Sequence, residues 1–274
     1  METVLVVGAS GNIGVSVIIA ALRSGRRVLA IVRNNAAEQK IIQHVGTKDG
    51  ITFVEAQVTD EKSVQKVVDR VKAGQLPDFQ HVYSAGWFNI FDILQYIFLI
   101  CQCGTVVGKM ETTHPTQNLQ MSAFRDIMSI NLEGNFLAYR ATIPYLIDQG
   151  YPNATWTLVT GSLGDLGFAG VTAISQGALF SLASVACLEN LKTNVRFNEV
   201  YLGYRVDYDS VVEEEGGDNR MKSSEFAHVY ETILANRDIR GCRITVSGPE
   251  DVDQLKYKKK LPDYDYDSLF AEYM

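Results

Sequence analysis

Three glycines near the start of the chain have the spacing of a turn that can hold a phosphate. Gly8, Gly11 and Gly14 follow a short apolar run and open a segment whose apolar residues recur at helical spacing. In such a turn the first glycine permits the change of direction, the second lets a pyrophosphate approach, and the third lets helix and strand pack closely. The start of the helix adds N–H groups and the positive end of its dipole. The residues that we expect to contact a dinucleotide are Gly8, Ser10, Gly11, Asn12, Ile13 and Gly14.

The residue that would face the adenosine ribose of that dinucleotide is a cation. Residues 27–33 have the pattern of a second buried strand, which ends at Arg33, about 20 residues after Gly14. Folds that bind NAD usually carry an Asp or Glu there, which accepts a hydrogen bond from the ribose 2′-OH. A guanidinium suits a 2′-phosphate instead, so Arg33 favours NADP(H) as the cofactor. The alternative is that Arg33 is a solvated charge on a loop.

The elements that must position these residues alternate along the chain. Buried strand patterns are followed by helical patterns, which predicts an α/β fold with right-handed crossovers. We expect a single Rossmann-like, doubly wound parallel sheet of about seven strands, and one domain over residues 1–274 because no repeat or linker is visible. The predicted strands are residues 4–7, 27–33, 51–54, 81–83, 155–160, 195–200 and 243–246. Later helices are predicted at 122–150, 173–190 and 224–235, and Asp60 is a predicted N-cap.

Composition and charge exclude several functional classes. The chain of 274 residues carries a formal net charge of -7, which disfavours binding to nucleic acid. Its basic run, residues 258–260, is followed closely by acidic residues, so we interpret it as a solvated tail. The four cysteines lack the paired spacing of a zinc site and the four histidines do not cluster, so we expect no metal.

Three features of the sequence indicate the cellular compartment of the protein. The first predicted strand begins at residue 4, which leaves no room for a signal peptide. Free thiols are typical of a reducing compartment, so we expect a cytoplasmic protein. Residues 90–101 contain Asp92 and Gln95 and are too short to span a bilayer, so we expect no membrane association.

Residues 87–103 interrupt the alternation of strands and helices. The segment from Trp87 to Cys103 is strongly apolar and has no turn chemistry before Gly104. We expect a partly buried helix near the mouth of the substrate pocket, because the strand before it ends on the ligand-binding side of the sheet. An interface helix and an incidental insertion are the alternatives.

From residue 4 to about residue 248 the chain resembles the short-chain dehydrogenase/reductase family. The resemblance rests on the glycine triplet and on Ser84-Ala85-Gly86 after the fourth strand, Asn131 in the long helix and Ser162 after the fifth strand. It implies a nicotinamide cofactor, a small-molecule substrate, and catalytic roles for Asn131 and Ser162. It also implies a dimer or tetramer, since family members often pair through the helices that here carry Phe136 and Leu179. The further residues that it places around the cofactor are Val58, Ala85, Gly86, Gln176 and Gly203.

The chain departs from the family at the residues that handle the proton. The family pattern Tyr-x-x-x-Lys aligns with Thr172 and Gln176. In the family the Tyr donates a proton to the carbonyl oxygen, while the Lys lowers the pKa of the Tyr and holds the ribose. An unactivated Thr hydroxyl cannot be poised near neutral pH in this way. Gln176 still offers a hydrogen bond to a ribose hydroxyl, so cofactor binding is compatible with this change.

The first of three functional hypotheses is a reductase whose acceptor needs no proton at oxygen. An iminium ion or an activated double bond fits, and a carboxylate would then be more useful than a phenol. Asp165, three residues after Ser162, is our candidate for that carboxylate. This resembles a small group of fungal reductases without the Tyr and Lys, which reduce an iminium in indole-alkaloid assembly, a branch of secondary metabolism, and also guide a Diels–Alder cyclisation. The alternative is that Asp165 only caps nearby N–H groups of its loop.

Two other hypotheses stay open from the sequence. One is a ketone or quinone reductase that takes its acid from Ser162, Lys109 or His114. The other is a binding protein that senses NADP(H) without turnover, as some degenerate family members do. Oxidation of NADPH with a panel of imines and ketones would separate the three.

Overall fold

A computed structural model describes residues 1–85, 109–111, 113, 115–167, 169–216, 219–266 and 268. The predicted helix at residues 87–103 and the predicted cofactor contact Gly86 lie outside these ranges, as does His114. The remaining site residues predicted from the sequence lie within them.

Eight strands form one mostly parallel sheet. Their order across the sheet is β3-β2-β1-β4-β5-β6-β9-β10, and all neighbours are parallel except β9 and β10. A second, two-stranded parallel sheet pairs β7 with β8. The strands are β1 (Thr3–Val7), β2 (Arg27–Val32), β3 (Ile51–Glu55), β4 (His81–Ser84), β5 (Thr155–Gly161), β6 (Arg196–Leu202), β7 (Arg205–Asp207), β8 (Arg220–Lys222), β9 (Cys242–Val246) and β10 (Lys256–Lys259).

Helices cover both faces of the large sheet. They are α1 (Asn12–Arg23), α2 (Asn35–Val45), α3 (Glu61–Lys72), α4 (Met121–Met128), α5 (Gly134–Gln149), α6 (Leu163–Leu166), α7 (Val171–Glu189), α8 (Asp209–Glu215), α9 (Ser223–Ala235) and α10 (Glu250–Asp253). A 3₁₀ turn spans Thr116–Asn118, and a π-helical turn, Ser129–Glu133, joins α4 to α5. The predicted α/β, doubly wound architecture is therefore confirmed, and the sheet has eight strands rather than seven.

The alternation of side chains along each strand divides the core into two clusters. In β1, Val4 and Val6 face the cluster formed with α1 and α9, while Leu5 and Val7 face the cluster formed with α3, α5 and α7. All four residues are 3 % exposed or less. A strand that is apolar on both faces is what a parallel sheet covered on both sides requires.

The carboxyl ends of β1 and β4 form the topological switch point of the sheet. The chain runs outward from β1 through β2 to β3 and then returns to the other side of β1 as β4. Open α/β sheets bind their ligands outside the carboxyl ends of the strands at such a point. The glycine turn at residues 8–14 follows β1, so the fold places it at this point.

The eighth strand corrects the interpretation of the basic run as a solvated tail. Residues 256–259 pair antiparallel with β9, and Lys260 Nζ lies 2.7 Å from the buried carboxylate of Glu199. The strand is exposed and rich in lysine, as edge strands that avoid further pairing often are. Because it has no apolar alternation, hydrophobic periodicity does not detect it.

One described helix has the length and composition of a membrane span. It is α7, and half of its most apolar window is buried inside the fold. The helix contacts β5 and β6, so its apolar residues form part of the core.

Candidate functional site

The glycine turn has the geometry of an anion-binding site. Gly8 has a φ of 77°, a left-handed conformation that favours glycine, and the N–H of Gly11 donates to its carbonyl at 3.1 Å. A Cβ on Gly14 would lie 2.2 Å from the Gly8 carbonyl oxygen, so no other residue fits there without a backbone shift. No described side chain caps the start of α1, whose first N–H groups suit a bound pyrophosphate.

Ser10 and Asn12, which lie between the glycines, are hydrogen-bonded to β7 and to the chain that follows it. The side-chain amide of Asn12 donates to Val206 O at 2.9 Å and to Asp207 Oδ1 at 3.1 Å. The hydroxyl of Tyr208 donates to Ser10 O at 2.6 Å, and the hydroxyl of Ser223 donates to Asn12 O at 2.9 Å. The side chain of Asn12, a predicted cofactor contact, is thus turned toward β7, and these bonds hold the turn in one conformation.

Two further predicted cofactor contacts, Arg33 and Val58, follow the second and third strands of the sheet. Arg33 follows directly after β2 and is exposed, and Asn34 caps α2 by accepting from the Ala37 N–H at 3.0 Å. Val58 lies next to α5, where a Cβ on Gly134 would be 3.7 Å from its carbonyl oxygen. The contact of Arg33 with the ribose phosphate stays a prediction.

Other predicted contacts are fixed by the sheet. The N–H of Ala85 donates to Val7 O at 3.0 Å, which continues the pairing of β4 with β1 toward the glycine turn. The N–H of Gly203 donates to Val246 O at 2.7 Å, at the end of β6. Both residues therefore lie at the carboxyl ends of strands.

Asn131 holds the chain after the undescribed segment against two helices. It is fully buried in the π turn, an irregularity frequent at functional sites. Its side-chain oxygen Oδ1 accepts from the Lys109 N–H at 2.5 Å. Its side-chain NH₂ donates to Lys109 O and to the hydroxyl of Ser175, both at 2.9 Å. The side chain of Asn131 thus holds Lys109 and Ser175, which lie 22 and 44 positions away in the sequence.

A buried hydrogen-bond chain links Asn131 to the end of β4. The hydroxyl of Ser84 donates to Asn135 Oδ1 at 2.6 Å, and the amide of Asn135 donates to Asn131 O at 2.6 Å. Ser84 stands where the family carries an Asn, and Asn135 supplies an amide here. The polar network is satisfied within the protein, which makes this side of the site rigid.

Thr172, at the place of the family's tyrosine, is fully buried in the first turn of α7. Its hydroxyl accepts from the Glu111 N–H at 2.7 Å and donates to Glu111 O at 3.1 Å. The half-buried Glu111 in turn accepts on its carboxylate from the N–H and O–H of Thr113, at 2.9 Å and 2.6 Å. The hydroxyl of Thr172 is therefore engaged by the backbone of Glu111, and the Glu111 carboxylate is hydrogen-bonded to Thr113.

Glu111 is a site residue that sequence reasoning missed. No motif surrounds it, and its position depends on contacts with Thr172, 61 residues away. The signal in the sequence was indirect. A Thr in the tyrosine position requires a hydrogen-bond partner when buried.

Gln176 and Ser162 lie at the end of β5. Gln176 is fully buried and accepts on its side-chain oxygen from the Gly161 N–H at 2.7 Å. Ser162 is 6 % exposed, and its carbonyl accepts from the N–H groups of the following turn. The catalytic role of Ser162 and the ribose contact of Gln176 stay predictions.

The carboxylate of Asp165 has partners on the last strands of the sheet, and its catalytic role stays a prediction. Asp165 lies in α6, its side chain is 53 % exposed, and its carboxylate is 3.9 Å from Arg243 Nη1. Burial, and then a hydrogen bond to Asp165, raise the pKa of Tyr201 to about 12. Asp165 thus faces Tyr201 and Arg243.

The packing of Gly164 explains the direction of Asp165. A Cβ on Gly164 would lie 2.6 Å from the ring of Phe180 and 2.8 Å from the N–H of Gly177. The turn of α6 therefore lies tightly on α7, which directs the following residue toward the strands at the β6 side of the sheet.

Two further predictions concern an alternative acid and an interface. Lys109 Nζ lies 3.8 Å from Asp126, and both side chains are about half exposed, at 48 % and 63 %. On the helices expected to pair subunits, Leu179 is buried in the core, whereas Phe136 and Ile174 are exposed. The oligomeric state stays a prediction. Among the described residues no cluster has metal-ligand chemistry.

The comparisons with known proteins agree with this geometry. The family model described as short chain dehydrogenase matches residues 2–209. A protein of the fungus Pestalotiopsis fici named short-chain dehydrogenase/reductase iacG is 49% identical over 261 residues, which cover 94% of this chain and 96% of that one. An NADP-dependent (R)-specific alcohol dehydrogenase of Lentilactobacillus kefiri is 24% identical over 212 residues, or 74% and 73% of the two chains.

Solved structures share the fold at low identity. A short-chain type dehydrogenase/reductase of Mycobacterium marinum has a TM-score of 0.69 at 21% identity, covering 90% of this chain and 94% of its own. A short-chain dehydrogenase/reductase from Burkholderia xenovorans has a TM-score of 0.69 at 19% identity, with 90% and 95% covered. At this identity the likeness is one of fold.

Proposed function

Since the chain belongs to the short-chain dehydrogenase/reductase family, we propose that it is an NADP(H)-dependent oxidoreductase whose hydride acceptor is an iminium ion or an activated double bond. The family supplies the reaction type, a hydride transfer with a nicotinamide cofactor. The residues of this chain support the choice of cofactor and acceptor.

The observation that carries the proposal is the engagement of the Thr172 hydroxyl. The family's proton donor is a phenol at this place, and here the hydroxyl both accepts from and donates to the backbone of Glu111. An aliphatic alcohol does not titrate near neutral pH, and the amide of Gln176 cannot lower its pKa as an ammonium would. An iminium ion becomes a neutral amine on receiving hydride and needs no donor there, whereas an activated double bond becomes an enolate that would take its proton from water.

We assign the carboxylate of Glu111, whose backbone is bonded to Thr172, as the group that receives a cationic acceptor. The segment 109–111 is fixed at both ends, by Asn131 on Lys109 and by Thr172 on Glu111. A fixed carboxylate attracts a cation and limits its orientation, which raises the rate through positioning. Holding the cation tightly before reaction also opposes its discharge, so the net benefit comes from binding and orientation. Glu111 takes the role that the sequence suggested for Asp165.

The cofactor assignment is supported by the glycine turn and by Arg33. The turn and the uncapped start of α1 fit a pyrophosphate, and Arg33 offers a guanidinium beside the predicted ribose position. NADPH, when bound, supplies the hydride. The alcohol dehydrogenase of Lentilactobacillus kefiri, which is named as NADP-dependent, is a distant relative in support.

Oxidation of NADPH with a panel of acceptors tests the proposal. The panel pairs a cyclic iminium, a conjugated enone and a simple ketone of similar size. We expect turnover of the iminium or of the conjugated double bond, and little turnover of the ketone. Faster reduction of the ketone would overturn the proposal in favour of a non-standard acid, and tight NADPH binding without turnover of any acceptor would favour the sensing protein.

A further inference from the structure

A buried serine closes a ring of hydrogen bonds around residues 109–111. Ser175 lies near the start of α7, is fully buried, and takes no part in the hydride transfer proposed above. Its hydroxyl accepts from the side-chain NH₂ of Asn131 at 2.9 Å. The same hydroxyl donates to Thr172 O, three residues earlier in the helix, at 2.7 Å. Ser175 thus joins the two residues that hold this segment.

The other links of the ring join side chains to the backbone of the segment. Asn131 bonds both the N–H and the C=O of Lys109, at 2.5 Å and 2.9 Å. Thr172 bonds both the N–H and the C=O of Glu111, at 2.7 Å and 3.1 Å. Because Lys109 and Glu111 are only two residues apart, the chain between them has little freedom once both are held. Ser175 supplies the remaining link, from Asn131 to Thr172.

The proton of the Ser175 hydroxyl is committed to one partner. A hydroxyl carries a single proton, and Ser175 gives it to the carbonyl oxygen of Thr172, so its lone pairs face Asn131. A lone pair can receive an N–H of the Asn131 amide but repels the amide oxygen. The NH₂ of Asn131 must therefore lie toward Ser175.

The direction of the Asn131 amide decides how well it holds Lys109. With the NH₂ toward Ser175, Oδ1 accepts from the Lys109 N–H and the second N–H of the amide donates to Lys109 O. If the amide were turned over, its NH₂ would face the Lys109 N–H and its oxygen would face Lys109 O. Both contacts would be repulsive, and buried polar groups without partners are costly.

We propose that Ser175 is a positioning residue, which fixes the Asn131 amide and through it the place of the Glu111 carboxylate. The proposal rests on the role given to Glu111 above, as the group that receives a cationic acceptor, and names a residue on which that role depends. Without Ser175 the two ends of the segment are held separately. The carboxylate then samples more positions, and less of the acceptor is bound in a reactive orientation.

Amide hydrogen exchange, followed by NMR, tests the ring without substrate or cofactor. Ser175→Ala removes the hydroxyl, and α7 should be retained because alanine favours a helix. We expect the amides of Lys109 and Glu111 to exchange about fivefold faster or more, as for the loss of one buried hydrogen bond, while the amides of β1 stay unchanged. Thermal unfolding of the variant shows whether the fold is retained.

Ser184→Ala is the matched control for this experiment. Ser184 lies in the same helix, and its hydroxyl donates to Phe180 O at 3.1 Å, a bond within the helix. The control should leave exchange at Lys109 and Glu111 unchanged. Equal exchange in Ser175→Ala and the unaltered protein, or equal acceleration in both serine variants, would overturn the proposal.

A double-mutant cycle with Glu111→Gln shows whether Ser175 acts through Glu111. With NADPH and a cyclic iminium, Ser175→Ala should lower kcat/KM about fivefold in the unaltered background and little in the Glu111→Gln background. Equal losses in the two backgrounds would overturn the positioning role and leave the proposed function standing. Failure of the unaltered protein to reduce the iminium would instead overturn the proposed function, whether or not hydrogen exchange supports the ring.

Discussion

The hydroxyl of Thr172 forms two hydrogen bonds with the backbone of Glu111, accepting at 2.7 Å and donating at 3.1 Å. Where the family carries a tyrosine, this chain carries Thr172, whose hydroxyl holds the backbone of Glu111. The carboxylate of the same Glu111 accepts hydrogen bonds from the N–H and O–H of Thr113.

Loss of the Thr172 hydroxyl should loosen Glu111. Thr172→Val keeps the branched shape and leaves an N–H and a C=O of Glu111 without their partner, so we expect the free energy of unfolding to fall by about 1 to 3 kcal/mol. Urea unfolding at pH 7 measures it. Thr172→Ser is the control and should keep most of the stability, whereas a valine variant as stable as the unaltered protein would show that the contact does not hold the segment.

The glycines of the chain should differ sharply in their tolerance of alanine. Gly14→Ala places a Cβ 2.2 Å from a backbone oxygen, so we expect loss of NADPH binding together with a lower melting temperature. Gly134→Ala is the control, since its Cβ would meet nothing closer than 3.7 Å and alanine favours a helix. Equal NADPH affinity of Gly14→Ala and the unaltered protein would contradict the role of the turn.

Stability should fall in acid because of Glu2 at the amino end of the sheet. The hydrogen bond from His81, against the opposing effect of burial and with added bonds from Tyr151 and Arg26, holds the pKa of Glu2 well below its usual value. The unfolded state takes up this proton near pH 4.3, at about the ordinary pKa of a Glu, while the folded state does not. The stability that Glu2 contributes is therefore present above about pH 4.3 and lost as the pH falls further.

Glu2→Gln tests this pH dependence. We expect the free energy of unfolding at pH 7 to fall by about 1 kcal/mol, given partial exposure, and its decline between about pH 5 and pH 3 to become shallower. The exposed Glu214 provides a control, since Glu214→Gln should leave the curve unchanged. An identical acid limb for Glu2→Gln and the unaltered protein would exclude Glu2 as its cause.

The parts of the fold that the sequence predicted are those with strong apolar patterns. The seven predicted strands are all present in the mostly parallel sheet, and Asp60 caps α3 as expected, accepting from the N–H groups of Lys62 and Ser63. Helix α2 was not predicted, because Ala37 and Ile41 are its only buried residues and most of its other residues are polar.

The candidate site was predicted in part, because motifs show neighbours along the chain and not contacts across it. The glycine turn is a local pattern, and its geometry follows from residues within one turn of each other. The directions of Glu111 and Asp165 depend on distant partners. Thr172 holds the backbone of Glu111. The close packing of Gly164 on α7 turns Asp165 toward Arg243.

The rate of iminium reduction by carboxylate variants tests the central claim most directly. With NADPH and a cyclic iminium at pH 7, Glu111→Gln should lower kcat/KM by about ten- to a hundredfold while the Kd for NADPH stays unchanged. Asp165→Asn is the matched control and should change kcat/KM little, since its carboxylate faces Tyr201 and Arg243. Full activity of Glu111→Gln, or a large loss confined to Asp165→Asn, would contradict the assignment of Glu111 as the residue that receives the cation.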